Sequence, residues 1–169
     1  MSSRGIYPNF RQVSEDEFAK RCHTKLKGPP TGKMLLPAIY LIAEDTTPPP
    51  GTTCSCGMKL TRRNVIKHGT CRTNLVDYDP DENRPIRCSL LQQRWRCRNC
   101  NKTHITTPLF KHPRHEATKR AVRTVERLLR NNELSYQEIS RRTGLDTKIV
   151  SDIDRESVQS EIEMENNED

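Results

Sequence analysis

Apolar and aromatic side chains are scarce in this chain. Hydrophobic residues make up 32% of the 169 positions and aromatic residues 5%, whereas an average globular domain is about 45–50% apolar. Such a chain cannot bury one large core, because little apolar surface is available to offset the entropy lost on folding. The composition favours small modules, each held together by a metal ion or by a few helices.

Long hydrophobic runs and an export signal are also missing. The longest apolar stretch, residues 34–43, is interrupted by Pro37 and is about half of the roughly 20 residues that a membrane helix requires. No apolar segment follows a charged start at the N-terminus, as a secretory signal would require. We therefore expect a cytoplasmic protein without membrane contact, whose seven cysteines are thiols or metal ligands rather than disulfides.

Positive charge is concentrated in the first 150 residues. Residues 151–169 contain eight acidic residues and one basic residue and so carry −7; since the whole chain carries +7, residues 1–150 carry +14. A basic body of this size attracts a polyanion such as DNA through counterion release, although a merely solvated basic surface is a common alternative. The acidic composition from residue 156 onward predicts a disordered tail.

Proline, glycine and cysteine divide the chain into predicted segments. Ser14 and Glu17 form a capping-box pattern, which predicts a short helix near the N-terminus. The apolar residues 34–42 are consistent with either a buried strand or a helix turn, and the proline run at 48–50 predicts a boundary. The predicted segments are an N-terminal extension (1–50), a cysteine-rich module (51–110), a helical module (113–155) and the acidic tail (156–169).

Two cysteine pairs have the spacing of a closed zinc site. Cys97 and Cys100 form a CxxC pair, and Cys54 and Cys56 form a CxC pair upstream, followed by Gly57. Short spacers let each pair point two sulfurs at one tetrahedral ion, and a structural zinc site needs four such ligands. The four thiolates therefore predict bound Zn²⁺, which suits a soft ligand set without other redox features better than iron does.

Other residues near these pairs leave alternatives open. Cys71 and Cys88 lie between the pairs and are interpreted as plain thiols, although either could be a ligand. His68 or His104 could replace Cys54 in the ligand set. A CxxC pair also occurs in redox proteins, but here it lacks the strand-to-helix setting of a thioredoxin motif.

The segment between the cysteine pairs predicts short strands. Residues 59–67, 71–78 and 86–96 have strand composition, and residues 79–83 form a cluster of turn formers that is typical of a hairpin. Together with the helical module, these strands predict an α+β fold. Its parts would be a small zinc ribbon of antiparallel strands followed by a three-helix helix-turn-helix domain.

Residues 134–153 have the pattern of a helix-turn-helix. Ser135 and Glu138 form a capping box that starts one helix, and Gly144 suits the turn before the next. Apolar residues recur at the spacing that two crossing helices need; these are Ile139, Leu145, Val150 and Ile153. A plain helical hairpin is the alternative. An amphipathic helix over residues 115–130 would complete the domain.

The second helix of such a motif lies in the major groove, which identifies candidate DNA contacts. On the two helices we expect DNA to be bound by Arg141, Arg142, Thr147, Lys148 and Ser151. On the ribbon, the expected phosphate contacts are Arg94, Arg96, Arg98 and Lys102. The acidic residues Asp152 and Asp154 oppose tight binding because they repel the DNA backbone.

From Cys54 to Ile153 the order of features resembles the N-terminal DNA-binding region of transposases of the ISL-three insertion-sequence family. The matching segments are Cys54-Ser55-Cys56-Gly57, Ile66-Lys67-His68-Gly69, the stretch from Arg94 to Thr103, and the stretch from Ser135 to Ile153. The first pair is CxC here, where the family has CxxCG. The resemblance implies recognition of DNA ends without the catalytic domain of the family.

These patterns predict a sequence-specific double-stranded DNA-binding protein, either a transposase-derived or a phage-type transcription regulator. The alternative is an adaptor that binds a protein such as RNA polymerase through the ribbon, with residues 34–43 and the acidic tail as partner surfaces. No enzymatic activity is expected, because no nucleophile–base pair, phosphate-binding loop or carboxylate set is recognisable. His112 and His115 near Glu116 are interpreted as surface residues.

Overall fold

The computed structural model describes residues 9–22, 28–30, 33–46, 51–131 and 133–165. Within these ranges the fold is α+β, with one mixed sheet and four helices. The elements in chain order are β1 (Arg11–Val13), α1 (Glu15–Arg21), β2 (Ile39–Asp45), β3 (Val65–Asp79), β4 (Arg84–Cys97), β5 (Thr103–His104), α2 (Lys119–Arg130), α3 (Tyr136–Thr143) and α4 (Thr147–Glu165).

The antiparallel pair β3–β4 is a long hairpin, in which β4 is the central strand of the sheet and β3 lies at its edge. Its turn lies within the predicted residues 79–83, where the Asp79 carboxylate accepts the backbone N–H of Asp81 at 2.9 Å and Asn83 adopts a positive φ of 51°. The strand predicted at 71–78 and the end of the one predicted at 59–67 form a single strand, β3, which carries a bulge between Lys67 and Thr70; residues 59–64 lie outside the named strands. The hairpin prediction is confirmed, with longer strands than a small ribbon needs.

The N-terminal part of the chain adds β1 and β2 to the same sheet. β2 pairs in parallel with β4, with Ile39 opposite Ile86, and β1 pairs antiparallel with β2. The part of the apolar run that forms β2 is buried on both faces, as is usual for a strand in a parallel pair. β1 and β2, which were predicted to belong to an N-terminal extension (1–50), thus lie in the same sheet as β4; the predicted boundary at 48–50 lies outside the described residues.

Each face of the sheet has its own small core. On one face, Phe18 of α1 packs on Tyr40, with ring centroids 5.0 Å apart, in a cluster that includes Ile42 and Met34. On the other face, a cluster containing Leu75, Ile86 and Cys88 is covered by Phe10 and Phe110. The scarcity of apolar residues is thus accommodated by several small clusters in place of one large core.

Helices α2, α3 and α4 form a three-helix cluster at the turn end of the hairpin. Val125, Ile139, Leu145, Val150 and Ile153 are buried in it together with Val76 and Tyr78 of β3. The chain enters α2 along the edge of β3, where the Val76 N–H donates to the Glu116 carbonyl and the Thr118 N–H donates to the Val76 carbonyl. Backbone pairing therefore fixes the helices against the sheet.

Helix α4 extends through Glu165, so the residues from 156 to 165 are helical although their acidic composition predicted disorder. The segment contains no glycine or proline and is rich in helix-forming residues. From Val158 onward its described side chains are exposed. No helix in the described part of the chain has both the length and the hydrophobicity needed to cross a bilayer.

Candidate metal centre and basic surfaces

Four thiols meet at the end of the sheet opposite the hairpin turn. The Sγ atoms of Cys54, Cys56, Cys97 and Cys100 all lie within 4.8 Å of one another. Cys54 Sγ is 3.4 Å from Cys100 Sγ, and Cys56 Sγ is 3.8 Å from Cys97 Sγ. We call these residues the cysteine cluster. The structure thus brings together the set that the spacing predicted.

Two tight turns present these sulfurs. In the first, the Gly57 N–H donates to the Cys54 carbonyl and the Cys54 N–H donates to the Met58 carbonyl, both at 2.8 Å. Gly57 has a φ of +87°, which glycine adopts without strain. In the second turn, the Asn101 N–H donates to the Cys97 carbonyl at 3.0 Å. One residue between Cys54 and Cys56 is therefore sufficient to bring both thiols to the cluster.

The spacing of the sulfurs suits a tetrahedral ion. A zinc–sulfur bond of about 2.3 Å implies sulfurs about 3.8 Å apart around the metal, close to the distances in the cluster. Leu60, Val65 and Trp95 pack beside the thiols. These few apolar side chains are a small core, and an ion that joins the two turns would add to its stability.

The pKa values of two thiols in the cysteine cluster favour a bound cation. A hydrogen bond from the Asn99 side chain lowers the pKa of Cys56 to about 6. The backbone N–H of Lys102 acts in the same direction on Cys100, but burial and the neighbouring sulfurs outweigh it and raise its pKa to about 11. Four adjacent thiols cannot all ionise unless a positive charge compensates them, and a divalent metal supplies that charge.

The alternative ligands lie outside the cluster. His104 Nε2 is 3.3 Å from Cys54 Sγ, so the histidine is a hydrogen-bond partner of this sulfur. Cys88 is buried in a different core, where burial raises the pKa of its thiol. Cys71 lies on β3 and His68 is exposed. Among the described residues, no group of possible ligands other than the cysteine cluster converges in this way.

The basic residues predicted on the ribbon have different environments. Arg94 and Arg98 are exposed, and Lys102 Nζ donates to Ser55 Oγ at 2.6 Å beside the cysteine cluster. Arg96 is half-buried, and its Nε is inaccessible and has no hydrogen-bond partner within the described residues. Arg94, Arg98 and Lys102 are therefore accessible to a ligand, while the Arg96 side chain is partly enclosed.

The start of α4 presents two of the predicted contacts to solvent. Thr147 and Lys148 are exposed and Ser151 is half-buried. Asp146 Oδ1 accepts the backbone N–H of Lys148 at 2.8 Å and so caps the helix. The preceding α3 begins with the predicted capping box of Ser135 and Glu138 and ends at Gly144, with φ +77°. The predicted caps and turn are confirmed.

Residues 28–30 and 33–35 lie against α3, a contact that the sequence did not indicate. Arg141 Nε donates to the Lys33 carbonyl at 3.0 Å, and the Leu35 N–H donates to the Arg141 carbonyl. Arg141 and Arg142 are both exposed, but the Arg141 guanidinium already has the Lys33 carbonyl as a partner. A cavity of about 340 Å³ separates this segment from the start of α4. A ligand within this cavity would contact both Thr147 and Lys33.

Three carboxylates of α4 already have partners. Asp152 Oδ1 accepts Arg155 at 2.6 Å, and Asp154 Oδ2 accepts the Tyr136 hydroxyl at 2.6 Å. Glu156 Oε2 lies 3.2 Å from His115 Nε2. The interpretation of His115 as a surface residue is wrong, because it is buried against α4 and stacks on His112 with ring centroids 4.9 Å apart.

Comparison of the chain with protein-family models, with curated protein sequences and with solved structures gives no match.

Proposed function

We propose that the protein is a sequence-specific double-stranded DNA-binding protein, in which a zinc ribbon and a helix-turn-helix bind one duplex. The observation that carries the proposal is the joint presence of a four-cysteine cluster and, at the other end of the same hairpin, a capped helix pair with exposed Thr147 and Lys148. A transposase-derived or phage-type transcription regulator is the cellular role that this combination favours.

Zinc would act as a structural ion. Cys54 and Cys56 would be its ligands from one turn and Cys97 and Cys100 from the other. Closure of the two turns by the ion positions Arg98 and Lys102 at the end of the sheet. The basic residues near the ribbon would bind phosphates, which supply affinity without sequence information.

Sequence recognition would reside at the start of α4. In a helix-turn-helix the second helix enters the major groove, and its N-terminal residues contact base edges. Thr147, Lys148 and Ser151 lie in the first turns of α4. Arg142 on α3 is exposed and would bind a neighbouring phosphate. The ion pair of Asp152 with Arg155 reduces the repulsion between this helix and DNA.

A mobility-shift titration with zinc-loaded protein tests the proposal. Sites selected from random duplexes should be preferred over unselected DNA, and affinity should fall steeply between about 50 and 200 mM salt. Lys148→Ala should weaken binding to the selected site by about 1–3 kcal/mol, whereas the exposed control Lys20→Ala should leave the sequence preference unchanged. Absence of DNA binding by the zinc-loaded protein at low salt would refute the proposal.

An adaptor that binds another protein is the second candidate. The end of α4 favours it, because Val158, Ile162 and Met164 are 50%, 48% and 68% exposed on a helix segment whose other residues are acidic or polar. This candidate predicts that zinc-loaded protein lacks affinity for duplex DNA yet binds RNA polymerase, and that Val158→Ser with Ile162→Ser abolishes the binding. DNA binding unaffected by these substitutions would favour the first candidate.

A further inference from the structure

Three arginines surround a cavity that belongs to neither the cysteine cluster nor the three-helix cluster. The cavity has a volume of about 270 Å³ and lies beside the C-terminal end of α1. Its lining includes Arg11 of β1, Arg21 of α1 and Arg72 of β3, together with Glu44 at the end of β2. This site has no local sequence signal, because its arginines come from three separate elements.

A single carboxylate holds two of the guanidinium groups close together. Oε1 of Glu17 lies 2.8 Å from Nη2 of Arg11 and 3.3 Å from Nε of Arg21. The hydrogen bond from Arg11 lowers the pKa of Glu17, so this carboxyl is ionised at neutral pH. Two like charges that would otherwise repel each other are thereby kept at one side of the cavity.

The guanidinium of the third arginine, Arg72, is held by a hydrogen bond to the neighbouring strand β4. Nη1 of Arg72 donates a hydrogen bond of 2.8 Å to Oγ of Ser89, and Ser89 is fully buried. Arg72 is itself half-buried, so its position is more restricted than that of a surface arginine. A guanidinium has five N–H donors. Within the part of the chain that the structure describes, the bonds to Glu17 and Ser89 use only some of the donors of the three arginines.

We propose that this cavity binds a phosphate group. Three guanidinium groups face two carboxylates, Glu17 and Glu44, which leaves an excess of positive charge at the cavity. Guanidinium groups bind phosphate oxygens through paired, charge-assisted hydrogen bonds. The cavity is wide enough for a phosphate with part of the sugar to which it is attached.

The position of the cavity favours a phosphate of the DNA backbone, an assignment that rests on the proposed function. On β3, Arg72 lies four residues from Val76 in the three-helix cluster and seven from Val65 beside the cysteine cluster, or about 13 and 23 Å along the strand. Arg72 and Val76 share one sheet face, since they are separated by an even number of residues. A free nucleotide or inorganic phosphate has the same chemistry and is the other source.

Arginine side-chain NMR signals of the zinc-loaded protein test the site. Pyrophosphate and a selected duplex are added in separate titrations to the unaltered chain, to Arg72→Gln and to the control Arg130→Gln, whose position on α2 is exposed and outside the cavity. We expect shifts at Arg11, Arg21 and Arg72. Arg72→Gln should weaken pyrophosphate binding about tenfold, as expected for loss of charged hydrogen bonds, and Arg130→Gln should not.

The two titrations separate the sources and the two proposals. Shifts with duplex alone, with a salt slope reduced by about 1 in Arg72→Gln, assign the site to the DNA backbone. Shifts with pyrophosphate in a protein that binds no DNA support the phosphate site while the proposed function fails. If neither titration shifts these arginine signals in a protein that binds DNA, the phosphate site is refuted and the DNA-binding proposal stands.

Discussion

Asp77 shows how single charged residues are accommodated in the interior of this protein. Its side chain has no exposed surface. Its carboxylate accepts one hydrogen bond from the Thr118 hydroxyl and another, of 2.5 Å, from Nη2 of Arg120. These bonds join β3 to the start of α2. The interaction therefore aligns the three-helix cluster with the sheet.

Substitution of Asp77 tests this role. Asp77→Asn removes the negative charge and leaves Arg120 without its anionic partner, so we expect the free energy of unfolding to fall by about 3 kcal/mol. Chemical denaturation monitored by circular dichroism provides the measurement. The exposed turn residue Glu82 is the control: Glu82→Gln should change stability by less than about 0.5 kcal/mol. Equal stabilities of the two variants would contradict the prediction.

The cysteines permit a comparison between predicted ligands and a predicted plain thiol. Cys97 is fully buried in the cysteine cluster, whereas Cys71 lies on β3 outside it. We expect Cys97→Ser to lose bound zinc and most of the ordered structure around it, because structural zinc contributes on the order of 10 kcal/mol in small sites. Cys71→Ser should retain one zinc ion per chain.

Metal analysis together with thiol titration before and after chelation measures this difference. Chelation should expose four additional thiols in the unaltered chain, those of the cysteine cluster. Zinc retained equally by Cys97→Ser and by the unaltered chain would exclude Cys97 as a ligand. Loss of zinc from Cys71→Ser would instead show that the ligand set differs from the one that the distances favour.

At the scale of elements, the connection between α3 and α4 depends on Gly144. Its φ is +77°, and an added Cβ would lie 3.1 Å from Pro85 Cβ. Because the turn also rests near Met34 and Val76, Gly144 connects the three-helix cluster to the sheet as well as ending α3. A side chain at this position would disturb both.

Gly144→Ala should therefore destabilise the protein by more than backbone strain alone. A left-handed conformation costs an L-residue about 1–2 kcal/mol, and the short contact with Pro85 adds to this cost. Gly51→Ala is the matched control, since Gly51 also has a positive φ, of +54°, but an added Cβ would contact nothing within 4 Å. Thermal unfolding of both variants gives the comparison; an equal loss would show that the contact with Pro85 is unimportant.

Local signals in the sequence predicted helix starts and turns well. Ser14, Ser135 and Gly144 lie where the helix caps lie, and the turn formers at 79–83 lie at the hairpin turn. These features depend on hydrogen bonds between residues a few positions apart. The cysteine cluster was also predictable, because zinc ligands occur in pairs whose spacing is itself a local signal.

Long-range features could not be predicted in this way. The apolar run of β2 is compatible with a strand or a helix, and its parallel partner β4 is decided by tertiary pairing. The contact of Lys33 with Arg141 joins segments far apart in the chain through backbone carbonyls, which have no residue signature. The helical structure of residues 156–165 was missed because an acidic composition is shared by disordered tails and exposed helices.

At the scale of the whole molecule, the hairpin β3–β4 separates the two proposed DNA contacts. Val65 packs beside the cysteine cluster and Val76 packs in the three-helix cluster, and the eleven residues from one to the other span about 36 Å of strand. One turn of B-DNA has a similar length, about 34–36 Å. The proposed contacts could therefore meet one duplex about a helical turn apart.

This spacing predicts the pattern of protection on DNA. Hydroxyl-radical footprinting on a selected site should show two protected segments with centres about 10 base pairs apart. Chelation of zinc should remove the segment assigned to the ribbon and leave that of α4. One continuous short footprint, unchanged by chelation, would show that only one end of the hairpin binds DNA.

The parallel pairing of β2 with β4 has a consequence for biosynthesis. Ile39 is opposite Ile86 and Asp45 is opposite Gln92, so β2 leaves the ribosome well before the strand beside which it finally lies. Pairing between strands so far apart in the sequence slows folding, because the chain between them must first be closed into a loop. Until residue 92 has emerged, the edge of β2 that later pairs with β4 has no strand beside it, although β1, its partner on the other edge, has already been synthesised.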